Sequence, residues 1–364
     1  MRDILTEIDA LQARGEPVGR AVVTRVWGSA PRPEGACMVA TASGAVAGSV
    51  SGGCVESATA GEIADAVRRG TAKLVTFGVS NERAWEVGLA CGGTITILVE
   101  PAIRPEIAAL ARAGAGAVVA TVVGGVAPIG AAYLVRDDGP SQGPLVPPGA
   151  SQDEAAVIMA LLQGLAPVIE PLAHDALRHE ASRTVELTTP GGAPVSLFLE
   201  VYPRRPTLVI FGAGHVAVAL VPLAKALGYR TVVADGRQAF LTPERFPQAD
   251  QLILAWPEEA FRQSGLDRAT FVCILSHDPK FDEPALEIAL RSEAGYIGAI
   301  GSRKTQRQRR DRLLAAGFTE SDVARIHGPI GLDLGGREPA ETALAIMAEM
   351  TMVRYGVEAP TRLP

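Results

Sequence analysis

Two cysteines of the chain lie beside consecutive glycines. Cys54 lies in the stretch Gly48-Ser-Val-Ser-Gly-Gly-Cys-Val-Glu56, and Cys91 lies in Ala90-Cys-Gly-Gly93. A glycine lets a ligand approach the backbone closely, and successive free N–H groups form a concavity that suits anions. A thiol beside such a concavity indicates sulfur chemistry or the handling of a cofactor. We therefore predict that both thiols act on a cofactor, and the cofactor-binding candidates of the two loops are Gly52, Gly53, Gly92 and Gly93.

Glu56 follows Cys54 by two residues and has two interpretations. It is a candidate base for the chemistry of the thiol, or it is an early-helix acid that the helix dipole stabilises. The remaining cysteines, Cys37 and Cys273, lie in apolar strands, where a thiol packs as a small core residue.

No cysteine pair has the Cys-x-x-Cys spacing, so the sequence does not support a structural zinc site. A metal site of His215, His277 and His327 is conceivable, but separate structural roles are preferred, and no metal site is predicted.

A second motif, Gly-x-Gly-x-x-Ala, is formed by Gly212, Gly214 and Ala217 directly after an apolar strand. In dinucleotide-binding folds the first glycine permits a tight turn, and the second lets a pyrophosphate approach the helix that follows. Asp235 ends the next strand, where an acid can bind a ribose hydroxyl, so we expect a ribose without a 2′-phosphate. A Rossmann fold whose nucleotide site is empty or has another use remains the alternative.

Further candidate ligands follow the other predicted strands of this region. His215 opens the helix after the glycine motif and either contacts a phosphate or packs, while His277 follows a strand at the carboxyl edge of the sheet. Ser302 is a predicted N-cap, and Arg303 and Lys304 come next, at a helix N-terminus that favours an anion. The arginines of residues 307–312 are interpreted as a solvated basic face.

A chain of 364 residues is longer than a single hydrophobic core usually accommodates, so two domains are expected. The pattern of apolar segments predicts that both are α/β domains. Residues 1–203 are predicted to form a mixed α+β domain that carries the glycine–cysteine loops. From residue 206 to 364 short apolar strands alternate with helical segments, which predicts a Rossmann-like doubly wound parallel sheet. The stretch Pro203-Arg-Arg-Pro206 marks the boundary.

Periodicity and turn residues also predict two helices and one loop. A helix is expected near Gln152–Leu162, after a loop at Asp137–Gly149. The last helix is expected to begin at Pro339, a favoured first-turn residue. Its apolar face is formed by Leu344, Met347 and Met350, and this face predicts a homodimer.

Bulk properties exclude some classes of protein. The net charge of −6 argues against a general nucleic-acid binder. No apolar run reaches the roughly 18 residues that cross a bilayer, so no membrane association is expected. The first residues carry acids and lack the apolar core of a signal peptide, which predicts a cytoplasmic protein.

With these motifs the chain resembles the xanthine dehydrogenase accessory family (XdhC/CoxI). Besides the two glycine–cysteine loops, the resemblance rests on Gly28-Ser-Ala-Pro-Arg-Pro33, Phe211–Ala217, Ser276-His-Asp278, Ile297–Arg303 and His327–Gly335. The motifs span nearly the whole chain in the family's order, although residues 101–200 carry little signature. One departure is Ala30, where the family pattern has a hydroxyl residue.

The resemblance implies a maturation factor that is a cofactor-binding chaperone rather than a catalyst. Such a protein holds the molybdenum cofactor, as molybdopterin or its cytosine dinucleotide form, and presents it to a cysteine desulfurase for sulfuration. It then delivers the cofactor to an apo molybdenum hydroxylase client such as xanthine or carbon monoxide dehydrogenase. Glycine loops and cations suit the phosphate of this cofactor, and nearby thiols suit its labile sulfur.

Two other functions remain open at this point. The second domain could use NAD(P) conventionally, in an oxidoreductase with His277 or His215 as the proton donor. It could also bind NAD as a regulatory sensor without chemistry. Identification of the ligand that co-purifies with the protein would separate these functions.

Overall fold

The structure is a computed structural model that describes residues 1, 4–78, 93–147 and 150–357. It divides into two compact units, Met1–Arg204 and Arg205–Pro364. The division falls inside the Pro203–Pro206 stretch. The predicted site residues Cys91 and Gly92 lie outside the described residues.

The first unit is built from antiparallel strands and a few helices, as the sequence predicts. Its described elements are α1 (Leu5–Gln12), β1 (Val18–Trp27), β2 (Cys37–Thr41), β3 (Val46–Gly48), α2 (Glu56–Arg69), β4 (Lys73–Gly78), β5 (Thr94–Glu100), α3 (Pro105–Ala113), β6 (Ala117–Gly125), β7 (Ala132–Arg136), β8 (Gly143–Leu145), α4 (Gln152–Arg178), β9 (Arg183–Thr188) and β10 (Pro194–Tyr202). The sequence analysis did not predict α3, nor β8 inside the expected loop at 137–149.

The strands of this unit form two five-stranded sheets of the same topology. Their orders are β3-β2-β1-β5-β4 and β8-β7-β6-β10-β9. In the first sheet α2 joins β3 to β4, and in the second α4 joins β8 to β9. The unit is therefore a tandem structural repeat. Cys54 belongs to the first copy, in the connection between β3 and α2.

Helix α4 is much longer than the sequence predicts, because it continues through Gly164, Pro167 and Pro171 to Arg178. Both prolines lie outside the buried core, so water can satisfy the carbonyl groups that lose their helical partner. The inner face of α4 packs on the second sheet. By length and composition α4 is apolar enough to cross a membrane, as are some helices that cover the core of a soluble protein. Of its 18-residue apolar segment, 22% is buried.

A buried ion network joins the two sheets. The guanidinium of Arg20, which is fully buried, donates from Nε to Glu100 at 2.5 Å and from Nη2 to Glu200 at 2.7 Å. Arg104 donates to the other oxygen of Glu100 at 3.0 Å. Burial acts to raise the pKa of Glu100, but the charges of Arg20 and Arg104 hold it below its ordinary value. The pairing fixes the last residues of β5 and β10 relative to β1.

The second unit has the predicted doubly wound parallel sheet. Its described elements are β11 (Thr207–Phe211), α5 (His215–Ala226), β12 (Arg230–Asp235), β13 (Gln251–Leu254), α6 (Pro257–Ser264), β14 (Thr270–Ile274), α7 (Pro279–Leu290), β15 (Tyr296–Ala299), α8 (Arg303–Ala315), α9 (Glu320–Val323), β16 (Ile326–His327) and α10 (Pro339–Arg354). The strand order is β13-β12-β11-β14-β15-β16. The order reverses between β11 and β14, so a ligand crevice is expected at their carboxyl ends.

The last helix does not present the apolar face on which the predicted homodimer rested. Helix α10 begins at Pro339 as expected. Met347 and Met350 are buried in the unit's own core, and only Leu344 of the three residues is exposed. Residues three or four positions apart share a helix face, so Ala343, Met347 and Met350 form the buried stripe and Leu344 lies off it. The expectation of an exposed methionine face is wrong.

Candidate functional site

The loop around Cys54 is organised by one carboxylate. Glu56 accepts hydrogen bonds from the hydroxyls of Ser49 and Ser51, at 2.6 and 2.7 Å, and from the N–H groups of Gly52 and Gly53, at 2.9 and 2.8 Å. Partial burial acts to raise the pKa of Glu56, but the serine hydrogen bonds outweigh it and lower the pKa to about 2. A carboxylate with this pKa is a poor proton acceptor near neutrality.

The glycine N–H groups of this loop are therefore engaged by the chain's own carboxylate. Gly52 and Gly53 have φ of +85° and +123°, which turns their N–H groups towards Glu56. Cys54 is exposed, and its N–H donates to the Ser51 hydroxyl at 3.1 Å. The loop holds Cys54 at its surface on a fixed backbone. Its glycines serve this local geometry, and a ligand-binding role for them stays a prediction.

Gly93, the described remainder of the second glycine–cysteine stretch, has a packing role. A Cβ at Gly93 would lie 2.4 Å from the carbonyl oxygen of Ser29. The glycine thus lets the start of β5 lie against the backbone that follows β1. Cys37 and Cys273 are buried, as predicted, and burial raises the pKa of Cys273.

In the second unit, the glycine motif forms the connection between β11 and α5. Gly212 has a φ of +109°, and a Cβ there would lie 2.6 Å from the backbone nitrogen of Ser276. Gly212 is therefore required by the contact with the chain after β14. A Cβ at Gly214 would meet nothing within 4 Å, and the exposed His215 begins α5. The open space at Gly214 is the place where a pyrophosphate would approach the helix.

Asp235 is buried and already has partners. Its carboxylate accepts from the N–H of Ala213 at 2.8 Å and from Nε and Nη2 of Arg237, both at 2.9 Å. Burial acts to raise the pKa of Asp235, but the hydrogen bonds from Arg237 lower it below its ordinary value. The carboxylate is thus committed to the protein, and Arg237 stands where a ribose 2′-phosphate is accommodated in other Rossmann folds. Asp235 is therefore no longer a reason to expect a ligand whose ribose lacks a 2′-phosphate.

A cavity of about 230 Å³ lies at the carboxyl ends of β14 and β15. Its walls include His277, Ser302, Thr305, Arg309 and Arg312. Ser302 caps α8 as predicted, because its hydroxyl accepts from the N–H of Thr305 at 3.2 Å. His277 has a φ of +62°, a conformation that a non-glycine residue rarely adopts. The N-terminus of α8, which suits an anion, thus lines one concave space together with two arginines and the carboxylates of Asp282 and Glu283; we call this space the anion cavity.

A buried ion pair forms the base of this cavity. Arg309 is only 4% exposed and donates to Asp282 at 3.1 Å, so the interpretation of this arginine as part of a solvated face is wrong. The Ser276 hydroxyl donates to the other oxygen of Asp282. Burial raises the pKa of Asp282 and lowers that of Arg309. The Nε of Arg309 is buried and has no hydrogen-bond partner among the described residues.

Arg303 and Lys304 are exposed in the first turn of α8. Neither forms an ion pair with another described residue, whereas Arg310 pairs with Glu320 and Arg312 with Glu283. The two cations at the helix start therefore remain available to an anion, and their role stays a prediction.

Family models match both units of the chain. Residues 208–350 match the XdhC Rossmann domain, and residues 11–78 match the XdhC and CoxI family. The chain belongs to the XdhC and CoxI family. The first match contains the glycine motif and the anion cavity, and the second contains the Cys54 loop.

Relatives of this family member carry informative names. It is 31% identical over 162 residues to a Bacillus subtilis protein named as a probable subunit of xanthine dehydrogenase, and the alignment covers 44% of this chain and 47% of that protein. It is 29% identical over 157 residues to the molybdenum cofactor insertion chaperone PaoD of Escherichia coli, with 43% of each chain covered. The chain thus matches less than half the length of these curated relatives.

A solved structure described as a xanthine dehydrogenase from Bacillus halodurans shares the fold. The TM-score is 0.70 at 24% identity, and the superposition covers 97% of this chain and 96% of that one. The similarity extends over both units, including residues 101–200, for which the sequence offered little signature.

The sequence analysis missed four of the residues that line the anion cavity. Asp282, Thr305, Arg309 and Arg312 line it beside the predicted His277 and Ser302. Thr305 could have been found three residues after the predicted N-cap, where a capping hydroxyl is bonded. Asp282 lies 27 residues from Arg309, and no local pattern links the two.

Proposed function

We propose that this chain is an accessory factor that binds the molybdenum cofactor as its cargo. In this function it supports sulfuration of the cofactor by a cysteine desulfurase and its insertion into a molybdenum hydroxylase of the xanthine dehydrogenase or carbon monoxide dehydrogenase type. Membership of the XdhC and CoxI family supports the proposal. So do the names of its relatives, which are a probable component of xanthine dehydrogenase and a cofactor insertion chaperone.

The observation that carries the proposal is the anion cavity at the carboxyl edge of the parallel sheet in the second unit. The N-terminus of α8 suits the phosphate that the cofactor carries, and Arg309 and Arg312, although they pair with Asp282 and Glu283, line the same space. Arg303 and Lys304 add exposed positive charge at the same helix start. Gly214 leaves the neighbouring helix N-terminus of α5 open, where a second phosphate of the cytosine dinucleotide form would lie.

The Cys54 loop supplies the other property that the function needs. A labile cofactor sulfur requires protection or transfer near a thiol, and Cys54 is an exposed thiol on a rigid backbone. Glu56 holds that backbone rather than acting as a base, since its carboxylate is saturated with donors. We propose that Cys54 acts on the labile sulfur of the cofactor and that the sulfur itself comes from the partner enzyme.

The contacts of Asp235 weaken the case for an oxidoreductase that uses NAD. The acid that would bind the adenosine ribose, Asp235, is buried and committed to Arg237. NAD(P) binding therefore remains a secondary prediction, which the following experiment also tests.

The experiment is to purify the chain from cells that make molybdenum cofactor and to measure the pterin fluorophore released by oxidation. We expect bound pterin in the parent. The double variant Arg303→Gln/Lys304→Gln should retain roughly tenfold less, because two charge-assisted contacts to phosphate are lost. Arg307→Gln, an exposed arginine of the same helix, is the matched control and should retain pterin normally. A parent that carries no pterin but turns over NADH would refute the proposal in favour of the oxidoreductase.

We also propose a cytoplasmic homodimer, formed through α4 rather than through the last helix. One flank of α4 exposes Val157 and Val168, which lie about three turns apart on the same helix face, and no charged residue lies among positions 155–169 of this helix. An uncharged apolar face can pair with a second copy of itself without charge repulsion. Light scattering should give a dimer for the parent and a monomer for Val157→Lys/Val168→Lys. Leu344→Lys is the control, and a parent that is monomeric at micromolar concentration would exclude the dimer.

A further inference from the structure

An exposed aromatic cluster lies at the carboxyl ends of β12 and β13, outside the anion cavity. Trp256 follows β13 and is 56% exposed, and Phe240, which follows β12, is 41% exposed. The Trp256 ring lies with its centroid 4.8 Å from that of Phe281, in the first turn of α7, at an interplanar angle of 42°. Large aromatic rings exposed together in water mark a surface that a ligand or a partner covers.

An arginine lies against the same rings. The guanidinium of Arg237 is 4.4 Å from the centroid of Phe240 and 6.0 Å from that of Phe281. Asp235 fixes this guanidinium through hydrogen bonds to Nε and Nη2, both at 2.9 Å. Asp235 is thus a positioning residue, and the cation is presented beside the exposed rings rather than left to rotate in solvent.

A glycine lets the cluster form at the strand end. A Cβ at Gly236, between Asp235 and Arg237, would lie 3.1 Å from the ring of Phe281. The absence of a side chain there allows the Phe281 ring to lie against the backbone that leaves β12. The ends of β12 and β13 and the start of α7 therefore converge on one aromatic surface with one fixed cation.

We propose that Trp256, Phe281 and Arg237 form a subsite that stacks a nucleobase, so that the ligand of this edge is a nucleoside diphosphate or a larger molecule containing one. Every nucleobase offers a planar face to an aromatic ring, and arginine adds a cation–π contribution. The fixed Arg237 cation can also attract the negative charge of the attached phosphates.

The sheet order supports an extended ligand. The aromatic subsite lies on the β12–β13 side of the point where strand order reverses, and the anion cavity lies on the β14–β15 side. The open Gly214 lies between them, after β11. A base at Trp256 would thus place its diphosphate towards the N-terminus of α5. The identity of the remainder of the ligand, a pterin, rests on the proposed function, whereas the base subsite can be tested without it.

The test is isothermal titration calorimetry of the full chain with CDP, ADP and inorganic pyrophosphate. Trp256→Leu should bind both nucleotides at least about tenfold more weakly, because one base–aromatic stack is lost. Trp256→Phe, which keeps an aromatic face, should retain most of the affinity. Pyrophosphate should bind equally to all three proteins. Trp27→Leu, at an exposed tryptophan of the first unit, is the matched control.

The outcomes separate this inference from the proposed function. Normal CDP and ADP binding by Trp256→Leu, or no binding of either nucleotide by the parent at millimolar concentration, would overturn the base subsite. The proposed function would survive either result if the parent still co-purifies with pterin. Stronger binding of CDP would support the subsite with the cytosine dinucleotide form as its source, and stronger binding of ADP would support it with an adenine nucleotide.

Discussion

At the scale of single residues, one carboxylate decides what the glycine-rich loop does. The consecutive N–H groups at Gly52 and Gly53 form the anion-binding concavity that the sequence predicts, but Glu56 lies in it. The motif identified the local geometry correctly and did not identify the anion. A side chain four residues further along competes with any ligand because it is always present at a high effective concentration.

Glu56→Gln should destabilise the chain by about 1–3 kcal/mol at pH 7, since a neutral amide replaces a charged acceptor. The pKa of Glu56 is about 2 in the folded chain against an ordinary value of 4.5. The stabilisation is therefore fully present above pH 4.5 and is lost as the pH falls towards 2. Urea unfolding at pH 7 and pH 3 should show the difference between parent and variant shrinking at pH 3. A constant difference would contradict it, and Glu7→Gln is the exposed control.

Substitutions of Cys54 and Cys273 should have opposite effects on stability and on cofactor binding. Cys54→Ala should leave the melting temperature nearly unchanged, because an exposed thiol contributes little packing, and should reduce pterin retention. Cys273→Ala should cost roughly 1–2 kcal/mol, since it removes a buried sulfur that lies 3.9 Å from the sulfur of Met350. Thermal melts and pterin release measure both effects. Normal pterin retention by Cys54→Ala would make this thiol incidental.

At the scale of elements, periodicity and turn residues predict most strands and several helix ends. Helix α2, for example, ends at Gly70 in the left-handed conformation, the residue type and geometry that commonly end a helix. The end of α4 could not be found in this way, because its prolines lie outside the buried core, where they do not disturb packing. The tandem repeat of the first unit is also invisible in sequence, since topology recurs there without a repeated motif.

The long-range ion pairs could not be predicted from the sequence either. Arg309 lies in a run of arginines that indicates a solvated face, and only the fold brings Asp282 to it. Arg20 pairs with Glu100 and Glu200, which are 80 and 180 residues away. Hydrophobic patterns fix which face of an element is buried, but they do not specify which charge meets which within the core.

The ion pair of α8 gives a prediction at this scale. Arg309→Met should cost about 3–5 kcal/mol, because it leaves the buried Asp282 without its cation. The double variant Arg309→Met/Asp282→Leu should recover much of this loss, since no buried charge remains. Arg307→Met on the same helix should change stability by less than about 0.5 kcal/mol. Denaturant unfolding gives all three values. Equal losses in the single and double variants would show that packing rather than charge dominates.

At the scale of the whole molecule, each unit contains its own core. The buried clusters around the two five-stranded sheets involve residues up to Tyr202, and those around the parallel sheet begin at Leu208. The Arg20 network lies within the first unit and the Arg309–Asp282 pair within the second. No described core cluster or buried ion pair of these sets crosses residue 204. This separation is what an independently folding domain requires.

We therefore expect residues 1–204 and 205–364, expressed separately, each to unfold in one cooperative transition. Near-UV circular dichroism and urea unfolding would test this. A fragment of residues 1–150 is the control, because it removes β10, which pairs with β6, the edge strand β9, and Glu200, a partner of Arg20. That fragment should unfold without a cooperative transition, since β6 becomes an unprotected edge and Glu100 alone remains to balance the buried charges of Arg20 and Arg104. If the 1–204 or the 205–364 fragment also lacked a cooperative transition, folding would depend on the whole chain and the boundary at Pro203–Pro206 would not separate two domains.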